Sequence, residues 1–568
     1  MEIKNKRVMV LGGWGLVGNA ICTQLLQEEP NEIIILSLSE EEARDACSNL
    51  APLASKETKL TPYWGNIFVR DSMKGLNRLE ILTNDQFRNW LIDDTMEELS
   101  EELLQRSHLF QTINKFKPDV MIDCINSATA VAYQNIFKSY YNLKAELNDR
   151  KDKKDYSNEF MVEVEKLLCT QYIPQLIRHV QILYEAMRRY KTKFYLKIGT
   201  SGTGGMGLNI PYTHSEEKPS RTLLGKSTVA GAHSMLLFLM ARTPDAPITK
   251  EIKPTAAIAW KRICYGEIRK GKNPVELHDC PLENAVELKE SLDLKYTKNV
   301  VSLGENLKSV YVDTGENGIF SYGEFTAISG AAQMGLVTPE EIARSVIFEI
   351  KGGNTGHDII NALDNATMGP TYRAGLMRAS ALEKMRRLME ENKCHSVAFE
   401  LLGPPRLSKL LYEAYLLTVV ASSMQGIINA SAEELSAKIQ ETVLTDQKLR
   451  ASILSIGIPI LLSDGVRLLR GRQIKVPSIK GTSVLKLSPE SIDLWASDGW
   501  VDLRVGNMEV WRKRIQEIFS KIEQIPAGDT SSRFEQDRNY WLDEEVLNIG
   551  KVVGWIFQHE DQGHRMKD

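Results

Sequence analysis

Three glycines constrain this chain more than any other feature. Gly12, Gly15 and Gly18 sit three apart in VMVLGGWGLVGNAICTQLL, directly after an apolar run and at the head of a stretch with helical apolar spacing. A strand, a glycine turn and a helix start in that order predict the opening βα unit of a parallel sheet. The first glycine permits the tight bend, the second lets an anion approach the backbone, and the third lets helix pack on strand. The N–H groups at the helix start, around Leu16 and Val17, favour a pyrophosphate there. The loop is therefore expected to hold a dinucleotide.

The same rhythm continues downstream. Candidate strands are Arg7–Leu11, Glu32–Leu38, Leu60–Trp64, Val120–Cys124, Phe194–Gly199 and Ile248–Ile258. Between them lie amphipathic stretches such as Ile173–Tyr190, where Ile177, Val180, Leu183 and Met187 recur at helical spacing. This alternation predicts an α/β fold, a Rossmann-like doubly wound parallel sheet, over residues 1–270. A lobe on the substrate side is expected over 271–355, a helical domain over 356–480 and a C-terminal extension over 481–568, so the C-terminal half is large and mainly helical. In TPEEIARSV, Thr338 is placed to cap a helix, with Glu340 and Glu341 in its first turn.

Composition removes several classes of function. Seventy Lys and Arg against 74 Asp and Glu give a net charge of −4, with no basic excess to draw the molecule onto nucleic acid. Seven scattered cysteines without a CxxC pair argue against a zinc scaffold or a disulfide framework and for a cytoplasmic protein. The apolar runs Leu410 to Ala430 and Ala451 to Leu462 read as buried helices rather than membrane spans. His357 and His395 lack metal-ligand spacing, and no metal is expected.

Several separate segments resemble the extended short-chain dehydrogenase/reductases, the group that includes nucleotide-sugar epimerases and dehydratases. GGWGLVG is similar to the family's phosphate loop, and KPDVMIDCINSATA to its fourth strand and following loop. YLKIGTSGTGGMGLNIPY, LLGKSTVAGAHSMLLFLMA and KEIKPTAAIAWKRICYGEI resemble its serine-bearing strand, its catalytic helix and the strand after it. The resemblance implies a nicotinamide cofactor. Ser37 and Ser39 stand at the end of the second strand where NAD enzymes tend to present an acid, and with Arg44 nearby this favours NADP slightly over NAD. Asn66 takes the place beside the adenine, and Asn126 and Ser127 the nicotinamide side.

The family's tyrosine is missing. It should lie four residues before a lysine on the catalytic helix, but Thr222 precedes Lys226 at that spacing; the glycine-containing alignment instead puts Leu224 and Thr228 in the two places. Ser201 or Thr203 remains to polarise a carbonyl, Lys226 to hold the ribose, and Tyr212, in the loop with His214 and Lys218, to replace the proton donor. Cys124 reads as a core residue, and Asp313, Glu316 and Glu324 as a solvated loop. The expected function is an NAD(P)-dependent oxidoreductase acting on a carbonyl or alcohol of a small molecule. A cofactor-binding sensor or scaffold, and an epimerase or dehydratase with tightly bound NAD, remain alternatives. The C-terminal half would build a substrate pocket or a homo-oligomer interface.

Overall fold

The computed structural model describes residues 1–127, 134, 136–149, 157–199, 221–254, 256–270, 273–295, 297–315, 318–330, 336–353, 365–368, 371–401, 405–476, 484–529, 538–542 and 546–560. They fall into two compact units. The first is drawn from Met1–Gly205, Pro219–Ala259 and Gly335–Gly375, the second from Trp260–Met334 and Leu376–Asp568.

The first unit opens with β1 (Arg7–Leu11), α1 (Leu16–Leu26), β2 (Glu32–Ser37), α2 (Glu40–Leu50) and β3 (Lys59–Trp64). It continues through α3 (Asp85–Met96), α4 (Glu101–Arg106), α5 (His108–Phe116), β4 (Val120–Asp123), α6 (Tyr172–Arg189), β5 (Phe194–Ile198), α7 (Arg221–Ala241), β6 (Ile248–Pro254), α8 (Pro339–Ile350) and β7 (Asn365–Met368). The seven strands are parallel and ordered β3-β2-β1-β4-β5-β6-β7. This is the doubly wound, Rossmann-like sheet expected from the alternation. Its order reverses between β1 and β4, and sheets of this kind bind ligands in the crevice at that switch point.

All six expected strands form, with one change. Ile248–Ile258 does not run through as a single strand. Pro254 lacks the N–H a ladder needs, and β6 ends there; Ala256–Ala257 pairs instead with Leu336–Val337.

Helices cover both faces, so the central strands are apolar on both sides. Val8, Val10, Ile33, Ile35, Val120, Ile122 and Leu196 pack with Ile21 and Leu25 of α1 and with Ile342, Val346 and Ile350 of α8. Met9, Leu11, Ile34, Leu36, Met121 and Tyr195 face the other way, against Phe110 of α5, Leu183 and Met187 of α6 and Leu237 of α7. On α6 the expected stripe is buried at Val180, Leu183 and Met187, but at its start Leu176 is buried and Ile177 is exposed. The start of α8 is capped as expected: Thr338 accepts from the Glu341 amide, and the Glu341 carboxylate accepts from the Thr338 amide.

The second unit mixes short strands and helices. Arg262–Glu267, Lys308–Asp313 and Ile319–Phe320 form an antiparallel sheet, and Val286–Glu287, Arg467–Leu469, Ile460–Leu461 and Val501–Asp502 a second sheet. Helices Pro405–Ala421, Ala432–Thr445, Val505–Glu523 and Ile549–His559 supply most of its core, which encloses Trp500 and Trp511. The buried Glu413 carboxylate binds Lys409 at 2.8 Å, the Trp511 indole N–H at 2.8 Å and the Asp502 amide at 2.8 Å.

Glu324 departs from its reading as a loop residue. It lies in helix Tyr322–Ile328, is buried, and accepts from the amides of Ser321 and Phe399. The pair Ser321 and Glu324 is a capping box, a local signal that the surrounding glycines obscured. No helix among the described residues is long and apolar enough to cross a membrane.

Gly18 offers a test of the packing at the first turn. A Cβ on Gly18 would overlap the Gly12 carbonyl and stand 2.8 Å from Gly13 Cα, whereas one on Gly15 would meet nothing closer than the Gly12 carbonyl at 3.4 Å. Gly18→Ala is expected to destabilise the first unit by about 1–3 kcal/mol. Gly15→Ala should leave its denaturant midpoint nearly unchanged; equal losses in the two variants would contradict the packing described.

Candidate functional site

The first turn is built as a cradle. Gly12 takes a φ of 76°, and the amides of Gly12 and Gly13 both donate to the Leu36 carbonyl, at 2.8 and 3.1 Å, tying the turn to β2. The positive φ is one that L side chains rarely adopt. Gly15 is the N-cap of α1; no side chain caps the helix and no acid stands in its first turn. The N–H groups of Leu16, Val17 and Gly18 thus begin a helix whose positive dipole end faces the carboxyl ends of the strands.

The other expected cofactor residues are found in different states. Ser37 ends β2, buried, with its hydroxyl lacking a hydrogen-bond partner. Ser39 caps α2, and Arg44 lies on that helix with its guanidinium 2.6 Å from Glu40. Asn66 forms a tight turn after β3, its side-chain oxygen accepting from the Phe68 amide at 3.0 Å. Asn126 is exposed beyond β4 and Ser127 is buried next to it. Lys226 is buried on α7. Ser201, Thr203, Tyr212 and the neighbouring His214 lie outside the described residues, as do Glu316 and His357.

A polar row that the sequence reading missed lies across the ends of three central strands. Asp123 of β4 is in register with Lys197 of β5, which is in register with Glu251 of β6. All three are buried. The Lys197 ammonium lies 2.9 Å from Asp123, donates to the Ile125 carbonyl and reaches Ser127 Oγ at 3.4 Å. The Tyr195 hydroxyl donates to the same carboxylate at 2.8 Å, and the Ile125 amide does so at 2.9 Å. Lys197 thereby fixes the loop Ile125–Ser127, the segment expected beside a nicotinamide.

Electrostatics follow from burial and this pairing. Burial disfavours the Asp123 carboxylate, but the Lys197 ammonium outweighs it and holds the carboxyl below its usual range. Burial pushes Glu251 up, with Lys253 opposing. Burial also pushes the Cys124 thiol up to about 12, so it is no nucleophile, in agreement with its reading as a core residue. Two histidines stand over the row with ring centroids 6.1 Å apart: His179 of α6 and His233 of α7. Burial lowers His179 to about 4 and His233 to about 3. Both are neutral at physiological pH. Among the described residues no group of three or more His, Cys, Asp or Glu is placed to hold a metal ion.

Missing this row has a simple cause. VMID and FYLKI read as apolar strands, and their charged members lie more than 70 residues apart, so only the sheet brings them together. A charged residue at the carboxyl end of an otherwise apolar central strand was the available signal.

Comparison with known proteins adds a family. The family model described as beta-methylindole-3-pyruvate reductase C-terminal domain matches residues 277–561, just over half of the 568 residues. No curated protein matches the chain by sequence. Among solved structures, similarity is found to Pen from Bacillus thuringiensis, with 12% identity, 45% of this chain and 51% of that chain covered, and a TM-score of 0.23. The chain thus spans about half the length of that protein. A Pseudomonas aeruginosa RhlG/NADP complex gives 12% identity, coverage of 44% and 72%, and a TM-score of 0.22. A short-chain dehydrogenase/reductase from Mycobacterium ulcerans gives 9%, coverage of 67% and 99%, and 0.28. The strand order, rather than these overlaps, identifies the fold.

Two tests address the polar row. Lys197→Met leaves Asp123 buried and unpaired and is expected to cost about 3–5 kcal/mol, most of it recovered in Lys197→Met/Asp123→Leu; an additive loss in the double variant would contradict the pairing. His179 has an ordinary value of 6.5 and a folded value of about 4. Its contribution to stability is complete above about 6.5 and is lost as pH falls toward about 4. The unfolding midpoint should fall through that window, and less steeply in His179→Gln.

Proposed function

Since the chain belongs, through residues 277–561, to the family of the beta-methylindole-3-pyruvate reductase C-terminal domain, we propose that it is an NAD(P)H-dependent reductase of 2-oxo acids with a bulky side chain. The family supports the reaction class, and the glycine cradle at β1 supports the cofactor. That cradle is the observation that carries the reading: the turn packs so closely that a Cβ at Gly18 would collide with the Gly12 carbonyl and Gly13, and no side chain caps the helix start.

The residues fit a dinucleotide. Gly12, Gly15, Leu16, Val17 and Gly18 would hold the pyrophosphate, Ser37 and Arg44 the adenosine ribose, Asn66 the adenine, and Asn126 and Ser127 the nicotinamide side. The unpartnered Ser37 hydroxyl suits a ribose or its phosphate, which favours NADP slightly over NAD. When bound, the nicotinamide supplies the hydride that turns the ketone carbon into a secondary alcohol. The protein's own task is orientation and proton supply. Ser201 or Thr203 polarises the carbonyl oxygen, Tyr212 delivers its proton, and Lys226 holds the ribose. Lys197 positions Ser127 from below through the Asp123 pair.

A second reading keeps the cofactor and drops the chemistry. Its support is Thr222 in the place of the family's tyrosine. One screen separates the two: NADH or NADPH oxidation by the full chain with aromatic and aliphatic 2-oxo acids. The reductase reading expects turnover, with Tyr212→Phe and Lys226→Ala each lowering kcat about 100-fold or more. Cofactor binding without turnover of any 2-oxo acid would leave the sensor reading, and full activity in Tyr212→Phe would remove that residue as proton donor.

A further inference from the structure

A second polar site lies in the first unit, against α6. Residues Ile67 and Phe68 after β3, together with Arg70, Asp94 of α3 and Arg178 and His179 of α6, line a cavity of about 40 Å³. A single water needs about 10–15 Å³ by the same measure, so the space suits one small polar group.

Its charges do not balance. Asp94 is the one carboxylate among the lining residues: Arg70 Nε donates to one oxygen at 2.6 Å, and the other lies 2.7 Å from Arg106 Nε as an ion pair without a hydrogen bond, so two further guanidiniums already share it. Arg178 is nine-tenths buried, and its Nη2 donates to the Glu97 carbonyl. Its Nε and Nη1 are buried without a hydrogen-bond partner, and so are both ring nitrogens of the adjacent His179. A guanidinium is always charged, and leaving its donors unmet in a buried place is costly. Burial pulls the Arg178 value down; the Asp94 carboxylate opposes this, and Arg106 adds a smaller repulsion.

We propose that this cavity binds a small oxyanion, a carboxylate or a phosphate group, through the unpartnered Nε and Nη1 of Arg178. Naming the occupant as the substrate's own carboxylate rests on the 2-oxo acid reading above, while the oxyanion site itself does not. His179 links the two places, since it lines this cavity and also stands over Asp123 and Lys197 at the carboxyl ends of β4 and β5.

The test uses the full chain and two probes at constant ionic strength, sodium pyruvate and sodium phosphate, read by the thermal unfolding midpoint. The wild type is expected to be stabilised by at least one of them. Half-maximal response should need about tenfold more anion in Arg178→Gln, and an intermediate amount in Arg178→Lys, which keeps the charge but loses the planar fork. A response to pyruvate alone assigns a carboxylate, and one to phosphate alone a phosphate. No response of the wild type to either probe, or equal responses in wild type and Arg178→Gln, would overturn the site. Should Arg178→Gln fail to fold, an unchanged response in Arg178→Lys overturns it equally. Intact anion responses in a protein that reduces no 2-oxo acid would remove the reductase reading and leave the oxyanion site standing.

Discussion

The contact between Gly18 and the Gly12 carbonyl governs this molecule's first unit. Only with hydrogen at Gly18 can α1 come close enough to β1 for Ile21, Cys22 and Leu25 to reach the strand residues Val8 and Val10. The same approach leaves Gly12 in its positive-φ turn and aims the helix start at the switch point of the sheet. Packing and the proposed ligand binding therefore share one constraint. The cradle proposed for a diphosphate is a by-product of how tightly this helix must sit.

A second constraint acts deeper in the sheet. Parallel strands covered on both faces offer no water to a charge, so Asp123 and Lys197 are tolerable only because each neutralises the other and the Tyr195 hydroxyl and the Ile125 amide complete the carboxylate's bonds. Replacing both with apolar residues would keep most of the stability. Their position under Ser127, at the ends of β4 and β5, gives a reason for ionic groups in that place: they fix a loop at the mouth of the crevice. The buried, neutral histidines on α6 and α7 extend this polar floor toward the cavity at Arg178.

Much of the fold was legible because it is local. β1 carries its own strand pattern, its glycine turn and its helix in a single stretch, and Thr338 with Glu341 announces α8 by a capping box. The polar row was not legible, since Asp123, Lys197 and Glu251 belong to three strands and meet only through register. Ile177 shows the smaller kind of error: helical periodicity located the stripe of α6, but which neighbour faces inward depends on the partner surface, and Leu176 won.

Hydrogen exchange at Leu16, Val17 and Gly18 during titration with NADH and NADPH examines the diphosphate cradle most directly. Saturating cofactor should slow exchange at those three amides about tenfold or more, as new acceptors meet them. Cofactor that binds while these amides exchange at their original rates, or no binding of either nucleotide, would contradict the account.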